Sequence, residues 1–148
     1  MYRSILVPLD GSKRSEAILP QVEDLAVQCK ARLVLLEVLE PLPQHAAAVA
    51  PDLLNSGATQ RADDIKQYVH GLQEQLAAKG FDVSAIVKRG SVVDTILAVA
   101  MAEKVELIAM ASHGYTGIAR FLHGSVASEV LHRAKVPLLV LHAEDDEE

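Results

Sequence analysis

The chain has no tryptophan, one cysteine and only 3% aromatic residues among its 148. A core must therefore be built from Val, Leu, Ile and Ala, and an apolar content of 50% supplies enough of them to exclude a disordered chain. Cys29 is the lone cysteine and cannot close an intramolecular disulfide, so nothing points to an oxidising compartment. It falls in an apolar-periodic segment and reads as a small buried or half-buried hydrophobe. No apolar run approaches the roughly 20 residues of a membrane span. Met1-Tyr2-Arg3-Ser4 leads straight into a strand-like segment without the apolar stretch of a signal peptide. The expectation is a cytoplasmic protein with no membrane partner. Basic excess is lacking too: 14 Lys and Arg stand against 20 Asp and Glu, for a net charge of −6, which argues against a nucleic-acid partner. Five of those acids are the last five residues, 144–148, leaving 15 acids against 14 bases and a nearly neutral body. Length and charge together predict one domain over 1–143 and a solvated acidic tail over 144–148.

What is present alternates. Short, continuous apolar runs at Ser4–Leu9, Leu33–Leu39, Leu107–Ala111 and Pro137–Leu141 read as fully buried strands, with a weaker fifth at Asp82–Lys88. Between them lie helical patterns. Ser12 can cap a helix reaching about Lys30, with Ile18, Val22, Leu25 and Ala26 on one face. A second helix is expected from about Ala58 to Lys79, carrying Ile65, Val69, Leu72 and Leu76 and stopped by Gly80. Ser91 and Asp94 resemble a capping box ahead of a third, and Ser125 to Ala134 forms the last. Strands alternating with helices imply an α/β fold: a doubly wound, five-stranded parallel sheet with helices on both faces, Rossmann-like. The Pro- and Ala-rich stretch 40–57 is too long for a simple connection and reads as a flexible surface loop or lid.

In such a sheet ligands sit beyond the carboxyl ends of the strands, where the strand order reverses. Pro8, Leu9 and Asp10 end the first strand. Met110 and Ala111 end the fourth, which runs into Ser112-His113-Gly114. Gly124, Ser125 and Val126 open the expected last helix. A helix N-terminus with a glycine and a hydroxyl binds phosphate through free backbone N–H groups and the helix dipole, and Gly114 lets a second stretch of backbone approach the same anion. The Asp10 carboxylate can accept hydrogen bonds from ribose hydroxyls. Taken singly, Gly124-Ser125 is equally a helix cap and Asp10 a turn residue. There is no Gly-x-x-x-x-Gly-Lys-Ser/Thr and no Gly-x-Gly-x-x-Gly. A phosphoacceptor receiver would need acids where the third strand ends in Lys88-Arg89-Gly90. The histidines 113, 123, 132 and 142 show no ligand spacing on one element, so no metal site is expected. No nucleophile, base and orienter stand together, and the expectation is a binding protein rather than an enzyme.

Ala111-Ser112-His113-Gly114, nine further residues and then Gly124-Ser125-Val126 resemble the nucleotide motif Gly-x2-Gly-x9-Gly-Ser/Thr of the universal stress protein family. The opening ILVPLDGS and the second-strand string LLEVLE are similar to that family as well, and the likeness covers all but the 40–57 loop and the tail. The resemblance implies a strand order of 3-2-1-4-5 and an adenine-nucleotide site. The nucleotide would be ATP, or AMP or ADP, with or without magnesium. The aspartate matching Asp10 contacts the nucleoside, the position matching Val38 contacts adenine through its backbone, and those matching Gly114, Gly124 and Ser125 cradle the phosphates. Ala111 departs from the pattern, replacing the first motif glycine with a residue that disfavours positive φ and adds a methyl to the site. The resemblance also implies a stress-response regulator that forms a homodimer through the apolar edge strand Pro137–Leu141, which needs cover. The alternatives are a nucleotide-independent interaction protein of the same fold and a weak ATPase using His113 or Ser125.

Overall fold

The computed structural model describes residues 1–41, 51–113 and 119–143, with only the backbone described for 51–56, 58, 113 and 119–125. Five parallel strands, β1 (Ser4–Leu9), β2 (Arg32–Leu39), β3 (Val83–Arg89), β4 (Leu107–His113) and β5 (Leu138–Ala143), form one sheet in the order β3-β2-β1-β4-β5. Fold class and strand order are those expected.

The strands are apolar on both faces because both faces are covered. On one face Ile5, Val7, Leu33, Leu35, Leu107 and Ala109 pack against α2 (Leu19–Cys29) and α3 (Pro51–Ala78), through Leu19, Val22, Val69 and Leu72. On the other, Leu6, Val34, Leu36, Ile108 and Met110 pack against α4 (Val92–Ala102) and α5 (Ala119–Arg133), through Ile96, Val99, Ala127 and Val130. Alternating residues of one strand thus enter two different cores, as the period of two requires.

Three helix boundaries differ from expectation. The segment after Ser12 forms two helices, α1 (Lys13–Glu16) and α2, instead of one. Pro20 lies in the first turn of α2 and has no N–H to donate back to Glu16, so a continuous helix through it would lose a hydrogen bond and meet the proline ring. Helix α3 begins at Pro51, so residues 51–57 of the expected loop are helical, while 42–50 lie outside the described residues. Helix α5 begins at Ala119 instead of Ser125. Ser91 is the N-cap of α4, but its hydroxyl donates to Asp94 Oδ2 (2.9 Å) and makes no bond to a backbone amide.

The strand pairing is uneven across the sheet. β1 and β2 are in register over six residue pairs, from Ser4–Arg32 to Leu9–Glu37. β1 and β4 pair only at Ile5–Leu107 and Leu6–Ile108, near the start of both strands. Beyond that point they part, and Pro8 on β1 has no N–H with which to continue a ladder.

Candidate functional site

The parting of β1 and β4 opens a cavity of about 520 Å³ at the carboxyl ends of the strands, within the size range of small-molecule sites. Its floor carries Pro8, Leu9 and Asp10 from β1 and the turn after it, Val38 from β2, Met110 and Ala111 from β4, and Val126 from α5. Seven of the eleven residues singled out from sequence therefore line one cavity. Of the remaining four, His113 is the last residue of β4 with its side chain outside the described residues, and Gly114 lies outside them altogether. Gly124 and Ser125 fall inside α5, more than a turn past its start at Ala119, so the expectation that they open this helix is corrected. The segment 119–124, Ala-Arg-Phe-Leu-His-Gly, contains no proline and continues the helix backwards. The side chains of 124 and 125 lie outside the described residues.

Asp10 is held by the chain that follows it. Its Oδ1 accepts from the backbone N–H of Ser12 (2.9 Å) and from the Ser12 hydroxyl (2.5 Å). Ser12 Oγ in turn accepts from Ser15 N–H (3.1 Å), capping α1. Ser15 Oγ donates to the Ser12 carbonyl (2.9 Å) and accepts from the Asp10 N–H (3.2 Å). Asp10 is thus a turn residue, and the turn fixes its carboxylate on the cavity wall. Ala111 is buried in extended β4 and is not among the residues with positive φ, so the alanine carries no backbone strain.

The sequence reading missed Glu37. It continues the inward series Leu33, Leu35 on β2 and is only 4% exposed, yet it lines the cavity and its Oε2 has no hydrogen-bond partner. Burial, reinforced by the neighbouring Asp10 carboxylate and opposed by Arg61, pushes it up from the ordinary 4.5 to about 7. Gly11 crosses directly over it. The residue has φ +84, and a Cβ there would stand 3.3 Å from Glu37 Oε1, so the turn requires glycine both for its conformation and for its clearance. The available signal was a charged residue within the otherwise apolar LVLLEVL, since carboxylates are seldom buried without a task.

A second group was missed on α3. Arg61, Asp64, Ile65 and Tyr68 recur at helical spacing and form the far wall of the cavity. Tyr68 Oη is buried without a hydrogen-bond partner, and burial together with the Glu16, Glu37 and Asp10 carboxylates pushes its phenol above the ordinary range, keeping it neutral. The site therefore offers apolar surface, the carboxylates of Asp10, Glu40 and Asp64, the buried carboxyl of Glu37 and the guanidinium of Arg61. Among the described residues no group of three or more His, Cys, Asp and Glu could hold a metal ion. Ser112 Oγ and His142 Nδ1 are 3.4 Å apart across the β4–β5 pair, but neither lines the cavity.

Compared with known proteins, residues 1–142 match the model of the universal stress protein family. The chain is 32% identical over 146 residues to universal stress protein Rv1636 of Mycobacterium tuberculosis, covering 95% of this chain and 97% of that protein. It is 26% identical over 154 residues to universal stress protein MJ0577 of Methanocaldococcus jannaschii, covering 95% of each. The solved structure of MJ0577 superposes with a TM-score of 0.78 over 100% of this chain and 99% of that one. Two further structures share the fold: a universal stress protein in complex with cAMP, at 24% identity and a TM-score of 0.69 with 96% of this chain and 98% of that one covered, and an Arabidopsis thaliana family member with AMP bound, at 14% and 0.69, with 97% and 94% covered. No helix among the described residues is long and apolar enough to cross a membrane.

Proposed function

Because the chain belongs to the universal stress protein family, we propose that it is an adenine-nucleotide-binding regulator acting in the stress response, and that the cavity between β1 and β4 is its nucleotide site. One observation carries the reading: Asp10 and Val38, to which the family resemblance gives the nucleoside and adenine contacts, line a single cavity of about 520 Å³ together with Ala111 and Val126 of the motif segment. That volume suits a nucleoside and leaves the phosphates to reach toward α5. Structures of the same fold hold cAMP and AMP, which supports the choice of ligand class. We take the ligand to be ATP, AMP or ADP, with magnesium as an accompanying ion of the triphosphate.

The protein binds this nucleotide without turning it over in our reading, since neither the described cavity wall nor the motif supplies a lysine for the γ-phosphate. Its place of action is the cytoplasm. Its partner is a second copy, joined along β5, where Leu139 and Val140 are 37% and 41% exposed on the sheet edge. The experiment is to purify the chain natively, denature it and analyse the released small molecules by mass spectrometry. Near-stoichiometric adenine nucleotide is the expected result. An empty protein whose melting temperature does not move with millimolar ATP, AMP or magnesium-ATP overturns the reading.

A further inference from the structure

Resting on the adenine-nucleotide reading above, we propose that Arg61 holds the base in this cavity, its planar guanidinium stacking on the face of adenine that the strand ends leave open. Neither the motif nor the strand ends assign this residue a role.

Sheet topology decides which end of the nucleotide Arg61 meets. Helix α3 lies against β2 and β3, whereas α5 lies against β4. A nucleotide lying across the ends of β1 and β4 therefore points one end toward α3 and the other toward α5. The family resemblance puts adenine on Val38, which is on β2, and the phosphates on the motif segment that runs from β4 into α5. Arg61 lines the cavity from α3 and so stands at the base end. It is near enough to Glu37, the neighbour of Val38 in the chain, for its charge to act on that carboxyl.

The chemistry of the wall leaves the guanidinium available. Asp10, Glu37, Glu40 and Asp64 line the cavity, and Arg61 is the one cation among its described lining residues. Yet none of the ion pairs among the described residues engages it. Ile65, one helical turn on, lines the same wall, so the Arg61 stem and Ile65 together present apolar surface beside the charged plane. A guanidinium is flat and weakly hydrated, and it stacks on nucleobases while its N–H groups stay solvated at the edge. The carboxylates act on the other end of the ligand. They make this part of the cavity unfavourable for phosphate, so the uncharged base enters here and the anionic groups stay toward α5.

The test is calorimetric titration of adenosine, AMP and ATP into the full chain and into its Arg61→Lys variant. Lysine keeps the charge and gives up the plane. Arg61 is exposed on α3 and lysine is a comparable helix former, so the variant folds. The expected result is that all three ligands weaken by the same factor, about fivefold, the order of a guanidinium on an aromatic face. A variant that binds AMP within about twofold of the natural chain overturns the proposal, since charge alone would then suffice. So does a loss that is absent with adenosine or larger for ATP than for AMP, which would put the guanidinium on the phosphates. A natural chain that binds AMP but not adenosine overturns it too, because the base contact would then carry no affinity. All three outcomes leave the adenine-nucleotide reading standing. If the natural chain binds none of the three ligands, that reading itself falls, and the assignment of Arg61 falls with it.

Discussion

Replacing Glu37 by Gln should stabilise the free protein at neutral pH and leave it nearly unchanged in mild acid. The carboxyl moves from an ordinary 4.5 in the unfolded chain to about 7 in the folded one. Between those values the folded state binds more protons than the unfolded state, so stability falls as pH rises through this window and is constant above it. A displacement of this size corresponds to about 3 kcal/mol at full development. Glutamine keeps the shape and stays neutral, so the advantage of the variant should grow from near zero at about pH 4.5 to about 3 kcal/mol above pH 7. For a chain of this length that is a rise in Tm of roughly 6–12 °C. Urea unfolding followed by far-ultraviolet circular dichroism measures it, as there is no tryptophan to report fluorescence. Other carboxylates titrate in both proteins and drop out of the difference. Parallel stability curves for the two proteins from about pH 4.5 to pH 8 would refute the reasoning, because they would mean that Glu37 ionises in the folded state as freely as in water.

Gly90 has φ +146, and a Cβ there would lie 2.8 Å from Thr95 Oγ1, so Gly90→Ala should cost about 1–3 kcal/mol in urea unfolding, with the steric share recovered in a Thr95→Ala background. Ile108 on β4 is fully buried, and Ile108→Ala should destabilise by roughly 2–5 kcal/mol through lost burial and a residual cavity. Asp10→Ala removes both the acceptor for Ser12 and the proposed ribose contact, whereas Asp10→Asn keeps an acceptor for Ser12; calorimetry should find AMP binding weakened about tenfold or more in the alanine variant, with the asparagine variant closer to the natural chain in thermal stability. Val140→Lys on the β5 edge should convert a dimer to a monomer in analytical ultracentrifugation without lowering Tm.

The strands were legible because their residues answer to one rule. Ser4–Leu9 and Leu33–Leu39 are apolar at nearly every position, which only a sheet covered on both faces accommodates. Pro8, Leu9, Asp10, Met110 and Ala111 were legible because the carboxyl ends of such strands are where a site must lie, whereas Val38 and Val126 came from the family resemblance and its motif. The helix boundaries were less so. The periodicity of Ile18, Val22 and Ala26 runs through Pro20 without a break, and the pattern outweighed the missing N–H that divides α1 from α2. Ser125 has the composition of a cap, but Gly124 is tolerated inside a helix at about 1 kcal/mol, and α5 extends past it to Ala119. Glu37 and the α3 wall were missed for a different reason. A carboxylate is read as a surface residue by default, and the face of α3 that carries Arg61, Asp64 and Tyr68 mixes polar with apolar side chains.

The short pairing of β1 with β4 makes the middle of the sheet its seam. On one side β3, β2 and β1 are stitched by six- and seven-residue registers, and on the other β4 and β5 by six. Two residue pairs join these panels, at one end only. A nucleotide lying across the open end would act as a clasp, tying Asp10 on one panel to Ala111 and α5 on the other. The free energy of binding would then be spent partly on closing a crease between the two panels. Amide exchange along β4 and β5 would slow together on binding, far beyond the residues the ligand touches.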